Sequence, residues 1–447
     1  MVVRSVTVAA LSVVLALGCK GTVESSGGDD AAARDGGSGG GTDGGDSGTD
    51  GGGGGTDGGG GGGTDGGGGG GTDGGGTDGG GGGTDAGEPP FDAGPCTATT
   101  LASALTTTPL ASLSGSGPVF AAPTASGGVV VATMSGSAAS MQRFAGDGTA
   151  MGSAITVAGT GLYGFDASSD TWAVMVSRGS DALYLVGVEP SGAPRFEVRL
   201  LGEVDHDVTN NEWFGALIRQ GRLLWTGTQW AAYYTVNRLW PDGIAHYGDQ
   251  LRFFDASGAA GSTAWGWGCS HSMEVRLAHN GTRLGPVCAS DCFPEKGIHF
   301  NHRDAMLYPD EMGSNCAGGY GTTLGDVVPV AGGFWATFTA TDARASHDVA
   351  AVHVANDGTA GSPVWLTTDG TRDANVRAAA YGPDFVVAWT GATDRIARLS
   401  SSGAIVEGPL DLPSATLAGS SSFFPFPDGD IGWITGARAL ARLRHCP

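Results

Sequence analysis

Asp384-Phe385-Val386-Val387-Ala388-Trp389 decides how this chain folds. A turn residue opens the phrase, and five apolar residues rich in β-branched and aromatic side chains follow. The run is too short for a helix and reads as a strand. The same phrase recurs as Gly128-Val129-Val130-Val131-Ala132-Thr133, Thr171-Trp172-Ala173-Val174-Met175-Val176 and Gln229-Trp230-Ala231-Ala232-Tyr233-Tyr234. It returns again as Gly333-Phe334-Trp335-Ala336-Thr337-Phe338 and Asp430-Ile431-Gly432-Trp433-Ile434. Between copies, glycines interrupt short apolar runs, and residues 97–447 contain no convincing amphipathic helix. The pattern is all-β.

A second phrase follows some 10–25 residues later, an apolar strand entering a polar turn with glycine. It runs from Arg143-Phe144 to Gly148, Val188-Glu189 to Gly192, Arg238-Leu239 to Gly243, Arg276-Leu277 to Gly281, Val354-Ala355 to Gly358, and Arg398-Leu399 to Gly403. These glycines are 44, 51, 38, 77 and 45 residues apart. The interval of 77 is close to two periods, which places a hidden copy in the cysteine-rich region. A period near 45 with two hairpins per unit is that of a propeller blade, so residues 96–447 are expected to form a β-propeller of about seven blades.

The N-terminus has a different character. Arg4 precedes the apolar run Val6 to Leu17, which is short for a membrane span and reads as an export signal over residues 1–18. Residues 19–95 are almost wholly Gly, Thr and Asp, with Gly-Thr-Asp recurring at Thr56, Thr64, Thr72, Thr77 and Thr84. Residues 20–95 hold 14 acidic residues against Lys20 and Arg34, so more than half of the net charge of −22 lies there. A segment with so few apolar side chains cannot offset its ordering entropy and is expected to be a disordered tether. A calcium-binding β-roll would need an inward-packing apolar position in each repeat, and none is present. Both parts of the chain are acidic, without a basic patch, which excludes a nucleic-acid partner.

Ala16-Leu17-Gly18-Cys19 resembles the lipobox of bacterial lipoproteins, with Ala16 where leucine is usual. The resemblance implies that Cys19 becomes the lipidated N-terminus of the mature protein. Lys20 stands where an Asp would retain the protein in the inner membrane, which implies the outer membrane of a bacterial envelope. The whole chain is similar to bacterial lipoproteins that carry degenerate propeller repeats behind a Gly-rich tether. That resemblance implies a membrane partner through the lipid, with a glycan or an envelope protein as the further partner.

Setting Cys19 aside leaves six cysteines in an exported, oxidising setting, where an even number is expected to pair. The simplest division is one bridge between Cys96 and Cys446, and two among Cys269, Cys288, Cys292 and Cys316 in one of three connectivities. A zinc set from Cys269, His271, Cys288, Cys292 and Cys316 is the weaker alternative, and no metal is expected.

Residues 245–325 break the repeat and read as an insertion rich in Cys and Trp. Six of the eleven tryptophans lie between Trp213 and Trp267. Trp265, Trp267, His246, His271 and Asp249 are the candidate ligand-binding residues: aromatic faces stack on sugars, and acids bond their hydroxyls. The competing reading makes the tryptophans blade core. A carbohydrate-active hydrolase or lyase would use His246 or His271 as base, Asp249 or Asp304 as its partner and Ser270 as nucleophile. However, Ser270 sits on no Gly-x-Ser-x-Gly elbow, and no catalytic residue is assigned. His299-x-x-His302 lacks the Glu of a zincin helix, and no glycine loop is placed to cradle phosphate, so no cofactor is expected.

Overall fold

The six repeated phrases each form the second strand of a four-stranded antiparallel sheet: Val129–Ser135, Trp172–Arg178, Gln229–Leu239, Gly333–Ala340, Asp384–Thr390 and Ile431–Ile434. The protein, a computed structural model, is described over residues 98–446 apart from 180–181, 202–217, 219, 240–244, 266–267, 270–273, 293, 302–304, 311–320, 342–345 and 413–416. The signal segment, Cys19, the Gly/Asp tract and Cys96 lie outside the described residues. So do Trp267, Ser270, His271, His302, Asp304 and Cys316.

There are seven such sheets among the described residues. Blades 1 to 6 cover residues 116–158, 161–201, 221–265, 274–309, 322–365 and 374–411. In each, the first strand in sequence is innermost, and the inner strands of successive blades pack side by side. Blade 7 takes its three inner strands from residues 424–443 and its outermost strand from Leu105–Pro109. That strand pairs antiparallel with Ala439–Leu443, from Leu105 opposite Leu443 to Pro109 opposite Ala439. The ring is therefore closed by hydrogen bonds between the two ends of the domain. One short 3-10 turn, Ala102–Ala104, precedes the closing strand.

The second strands read as unbroken apolar runs because both of their faces are buried. Phe385, Val387 and Trp389 point into a core shared with blade 5, while Val386 and Ala388 point into one shared with blade 7. Trp172, Val174 and Val176 face blade 1, and Ala173 and Met175 face blade 3. Strand alternation sends successive side chains to opposite faces, so each blade feeds two interfaces. Seven hydrophobic clusters result, one between each pair of neighbours.

Among the described residues the interface between blades 3 and 4 has the smallest cluster, six buried residues where the others have nine to fourteen. It is reinforced differently. Cys269, in the connection between these blades, is disulfide-bonded to Cys288 in the second strand of blade 4. Beside it, buried Asp249 accepts hydrogen bonds from Tyr233 Oη at 3.1 Å, Trp265 Nε1 at 2.8 Å and Cys269 N at 3.1 Å. Cys292 and Cys446 are disulfide-bonded as well. No helix among the described residues is long and apolar enough to cross a membrane.

Two expectations about the repeat need correcting. The turn between the third and fourth strands carries glycine at positive φ at Gly148, Gly192, Gly358 and Gly403, as the spacing suggests. In blade 3, however, the equivalent glycine is Gly258, whose N–H bonds Asp255 O at 3.0 Å. Gly281 lies between the first and second strands of blade 4, not the third and fourth. Residues 245–325, read as an insertion, contain the outer strands of blade 3, all four strands of blade 4 and the start of blade 5.

Candidate ligand-binding channel

Inner strands that converge on an axis leave a channel, and in this ring its two ends differ chemically. Where the inner strands begin, a cleft of about 830 Å³ is lined by blades 1, 2, 3, 6 and 7. It includes Phe120, Tyr163, Gln220, Arg222, Arg377 and the serines Ser420, Ser421 and Ser422. A smaller, polar hollow of about 220 Å³ continues this end across blades 3 to 6, past Glu274 and Arg276. Where the inner strands end, a recess of about 440 Å³ is lined by all seven blades and is largely apolar. Arg222 lines all three spaces.

The charged groups come from consecutive blades: Arg222 from blade 3, Glu274 and Arg276 from blade 4, Asp326 from blade 5, Arg377 from blade 6. Arg276 donates to Gln220 Oε1 at 3.0 Å and Leu324 O at 2.8 Å, so it ties blades 3, 4 and 5. Its two carboxylate neighbours, Glu274 and Asp326, stand 4.0 Å away. Arg377 donates to Ser421 O at 3.0 Å and Ser420 O at 3.3 Å, toward blade 7. Asp326 accepts from Ser422 Oγ at 2.8 Å and from Ala378 N at 3.3 Å. Arg222 differs from both other arginines: its hydrogen bond is to the carbonyl of Gly221, the preceding residue, at 2.8 Å. Among the described residues no carboxylate forms a salt bridge with it. Burial, with Arg276 and Arg377 adding like charge and the carboxylates of Asp326 and Glu274 offsetting part of it, pushes its guanidinium down to about 9. Burial also pulls Arg377 down from its usual value.

The backbone is irregular at this level. The inner strand of blade 5 shifts register between Leu324 and Val327, around Asp326, and that of blade 6 between Ala374 and Arg377. Asn375, inside the second shift, has φ +52°. Gly325 is required here, because a Cβ would lie 2.3 Å from Thr337 Oγ1. Bulges of this kind re-aim side chains and concentrate beside binding sites.

The residues singled out in the sequence lie elsewhere. Asp249 is fully buried in blade 3 and Trp265 half-buried beside it, its ring edge-on to Tyr233 at 5.9 Å. The carboxylate that was to bond sugar hydroxyls is engaged by three protein donors. Asp249 also lies within reach of Cys269 and Cys288 as a three-residue metal grouping, but the two sulfurs are bonded to each other. His246 lies on the third strand of blade 3, opposite Arg238. His299 is buried in blade 4 and its Nε2 donates to Glu295 O at 2.8 Å. Of the described tryptophans, Trp172, Trp230, Trp335, Trp389 and Trp433 are buried at blade interfaces. The channel arginines were missed, although each carries a signal: an arginine between apolar neighbours in a strand, as in Val275-Arg276-Leu277 and Val376-Arg377-Ala378.

Near the far end, Asp166 accepts the backbone N–H of Trp225 at 2.7 Å and of Ala167 at 2.8 Å. Burial outweighs these bonds and pushes its carboxyl up to about 6. A raised folded value means that Asp166 contributes stability below about pH 4, its unfolded value, and that this contribution disappears as pH rises through about 6. Asp373, also pushed to about 6 by burial, acts in the same direction. Asp166→Asn should therefore reduce the loss of Tm between about pH 4.5 and about pH 7. An unchanged difference in Tm across that interval would contradict the assignment.

Ring, closure and channel together define a seven-bladed β-propeller with a cationic, one-ended cleft. No family model and no curated protein matches this chain. Among solved structures, a streptogramin B lyase structure is similar over 76% of this chain and 97% of that chain, at 13% identity and a TM-score of 0.41. The WD40 domain of Neurospora crassa Pan2 is similar over 76% of this chain and 93% of that one, at 9% identity and a TM-score of 0.42. The β-propeller domain of the trilobed protease from Pyrococcus furiosus is similar over 66% and 81%, at 6% identity and a TM-score of 0.41. Likeness at this level concerns the fold and carries no chemistry across.

Proposed function

We propose that this protein is a lipid-anchored envelope protein whose propeller binds a ligand without transforming it. The ligand enters the channel where the inner strands begin. The observation that carries this reading is the cleft of about 830 Å³ at that end, a size typical of small-molecule sites, lined by convergent polar groups on rigid strands. Lipidation at Cys19 and the Gly/Asp tract serve as anchor and spacer in this reading. The catalytic alternative draws no support from Asp249, whose carboxylate holds a blade interface together.

The binding claim is tested by mixing the full chain with soluble envelope extract and identifying retained small molecules and glycans by mass spectrometry. Ligand recovered unchanged, and lost when Ser420→Trp fills the cleft, supports the reading. Turnover of the ligand, or retention that Ser420→Trp leaves intact, contradicts it. The anchor has its own test. Mass analysis of the mature protein should find a diacylglyceryl-modified Cys19 at its start, and an unmodified Lys20 or Gly21 start would refute the lipid.

A further inference from the structure

The entry end of the channel holds three guanidinium groups and two carboxylates, in a domain that is otherwise strongly acidic (residues 96–447 have 20 basic against 31 acidic side chains). Arg276 and Arg377 bridge neighbouring blades, and the fold accounts for them. It does not account for Arg222. A half-buried guanidinium that, among the described residues, has only the more distant carboxylates of Asp326 and Glu274 and none within salt-bridge distance is unfavourable, and such groups are retained where a ligand supplies a closer charge. Among the described residues two further polar atoms at the same place lack hydrogen-bond partners: Nε of Arg276, which stands 4.0 Å from Asp326 Oδ1, and Oγ of Ser420. Three positive groups and an unpartnered hydroxyl are the complement of an oxyanion. Guanidinium forks recognise carboxylates with paired hydrogen bonds.

The other half of the channel limits what the anion can be. Arg222 sits where the polar cleft meets the recess of about 440 Å³, whose walls include Phe120, Phe165, Leu223, Trp225, Leu277 and Phe423. A bare inorganic anion would leave that apolar wall unfilled, and a neutral hydrocarbon would leave Arg222 unpaired. We propose that the channel binds an amphipathic organic anion, its oxyanion head held by Arg222, Arg377 and Arg276 and its apolar body lodged in the recess. This rests on the channel being the binding site, and adds the chemical class of the ligand.

Isothermal titration of the full chain with decanoate tests it, with acetate and 1-decanol as controls carrying the charge alone and the apolar body alone. Decanoate is expected to bind one per chain, at least about tenfold more tightly than either control, since charged hydrogen bonds and buried hydrocarbon each contribute at that level. Arg222→Gln should weaken decanoate at least about tenfold while leaving decanol unchanged. The same variant should melt at or above the wild-type temperature, because it removes an unpaired charge; a merely structural arginine would lower it. Decanol binding as tightly as decanoate, absence of decanoate binding, or indifference to Arg222→Gln would each overturn the proposal. Acetate binding as tightly as decanoate would overturn the apolar half. If decanoate fails while Ser420→Trp still abolishes retention of an envelope ligand, the channel stands as the site and only the ligand class falls.

Discussion

Asp249→Ala is expected to be the most destabilising single substitution in the propeller. Among the described residues the interface between blades 3 and 4 has the smallest apolar cluster in the ring, and Asp249 organises what compensates for it. Removing the carboxylate leaves Tyr233 Oη, Trp265 Nε1 and the Cys269 N–H without their acceptor in a site from which water is largely excluded. At about 1–3 kcal/mol per orphaned group, part of it recovered by relaxation, the loss should be about 3–5 kcal/mol. For a domain of this size that corresponds to a fall in Tm of roughly 4–7 °C, read by circular dichroism. Asp249→Asn keeps one acceptor oxygen and should fall between. A loss below about 1 kcal/mol for the alanine variant would show that the Asp249 network does not hold this interface.

Cys446→Ser should produce the second large effect, at the ring's other vulnerable place. The closing strand is only five residues long, Leu105–Pro109, and the chain beyond its partner strand Ala439–Leu443 is anchored by the Tyr381 hydroxyl on Arg444 O at 2.6 Å and by His445 N on Asp430 at 2.7 Å. Cys446 is disulfide-bonded, and Cys96 is the partner we propose for it. A bridge across the whole domain restricts the unfolded chain by up to about 5 kcal/mol. Cys446→Ser is expected to remove a large part of that stability, read as a lower Tm, and to expose Leu105–Pro109 to early hydrogen exchange. Non-reducing peptide mapping should recover a Cys96–Cys446 peptide. A free Cys446 thiol, or Cys96 linked elsewhere, would contradict the staple.

The second strands were legible because burial on both faces leaves a continuous apolar run that recurs at a regular spacing. Blade 4 was not legible for the same reason inverted. Its second strand, Leu284-Gly285-Pro286-Val287-Cys288-Ala289-Ser290, has a glycine and a proline where the others carry aromatic or β-branched residues. Gly285 is needed there because Phe334 of blade 5 packs against its backbone, 2.7 Å from where a Cβ would be. A disulfide then contributes what packing does elsewhere. Counting turn glycines reached seven blades although Gly281 belongs to a different hairpin and Gly258, not Gly243, marks blade 3. The count comes from dividing the domain's length by the mean spacing, so misassigning two individual turns did not change it.

The candidate site was harder to read. An aspartate near tryptophans has the same appearance in sequence whether it meets a sugar hydroxyl or a neighbour's indole N–H, and Asp249 meets the indole. Arg222, Arg276 and Arg377 lie 54 and 101 residues apart and meet only because the ring closes. No local pattern encodes that meeting. What a sequence can show is the arginine set between apolar neighbours, which is costly in a strand unless the strand faces a polar space.

The most direct test of the account is a structure of the full chain with 10-bromodecanoate, located by the anomalous signal of bromine. The account predicts one molecule in the channel, its carboxylate in hydrogen-bond contact with Arg222 and Arg377 and its bromine among Phe120, Phe165 and Leu277. Bromine on the outer surface, against Trp265, or absent from a channel in which Arg222 remains unpaired would contradict it.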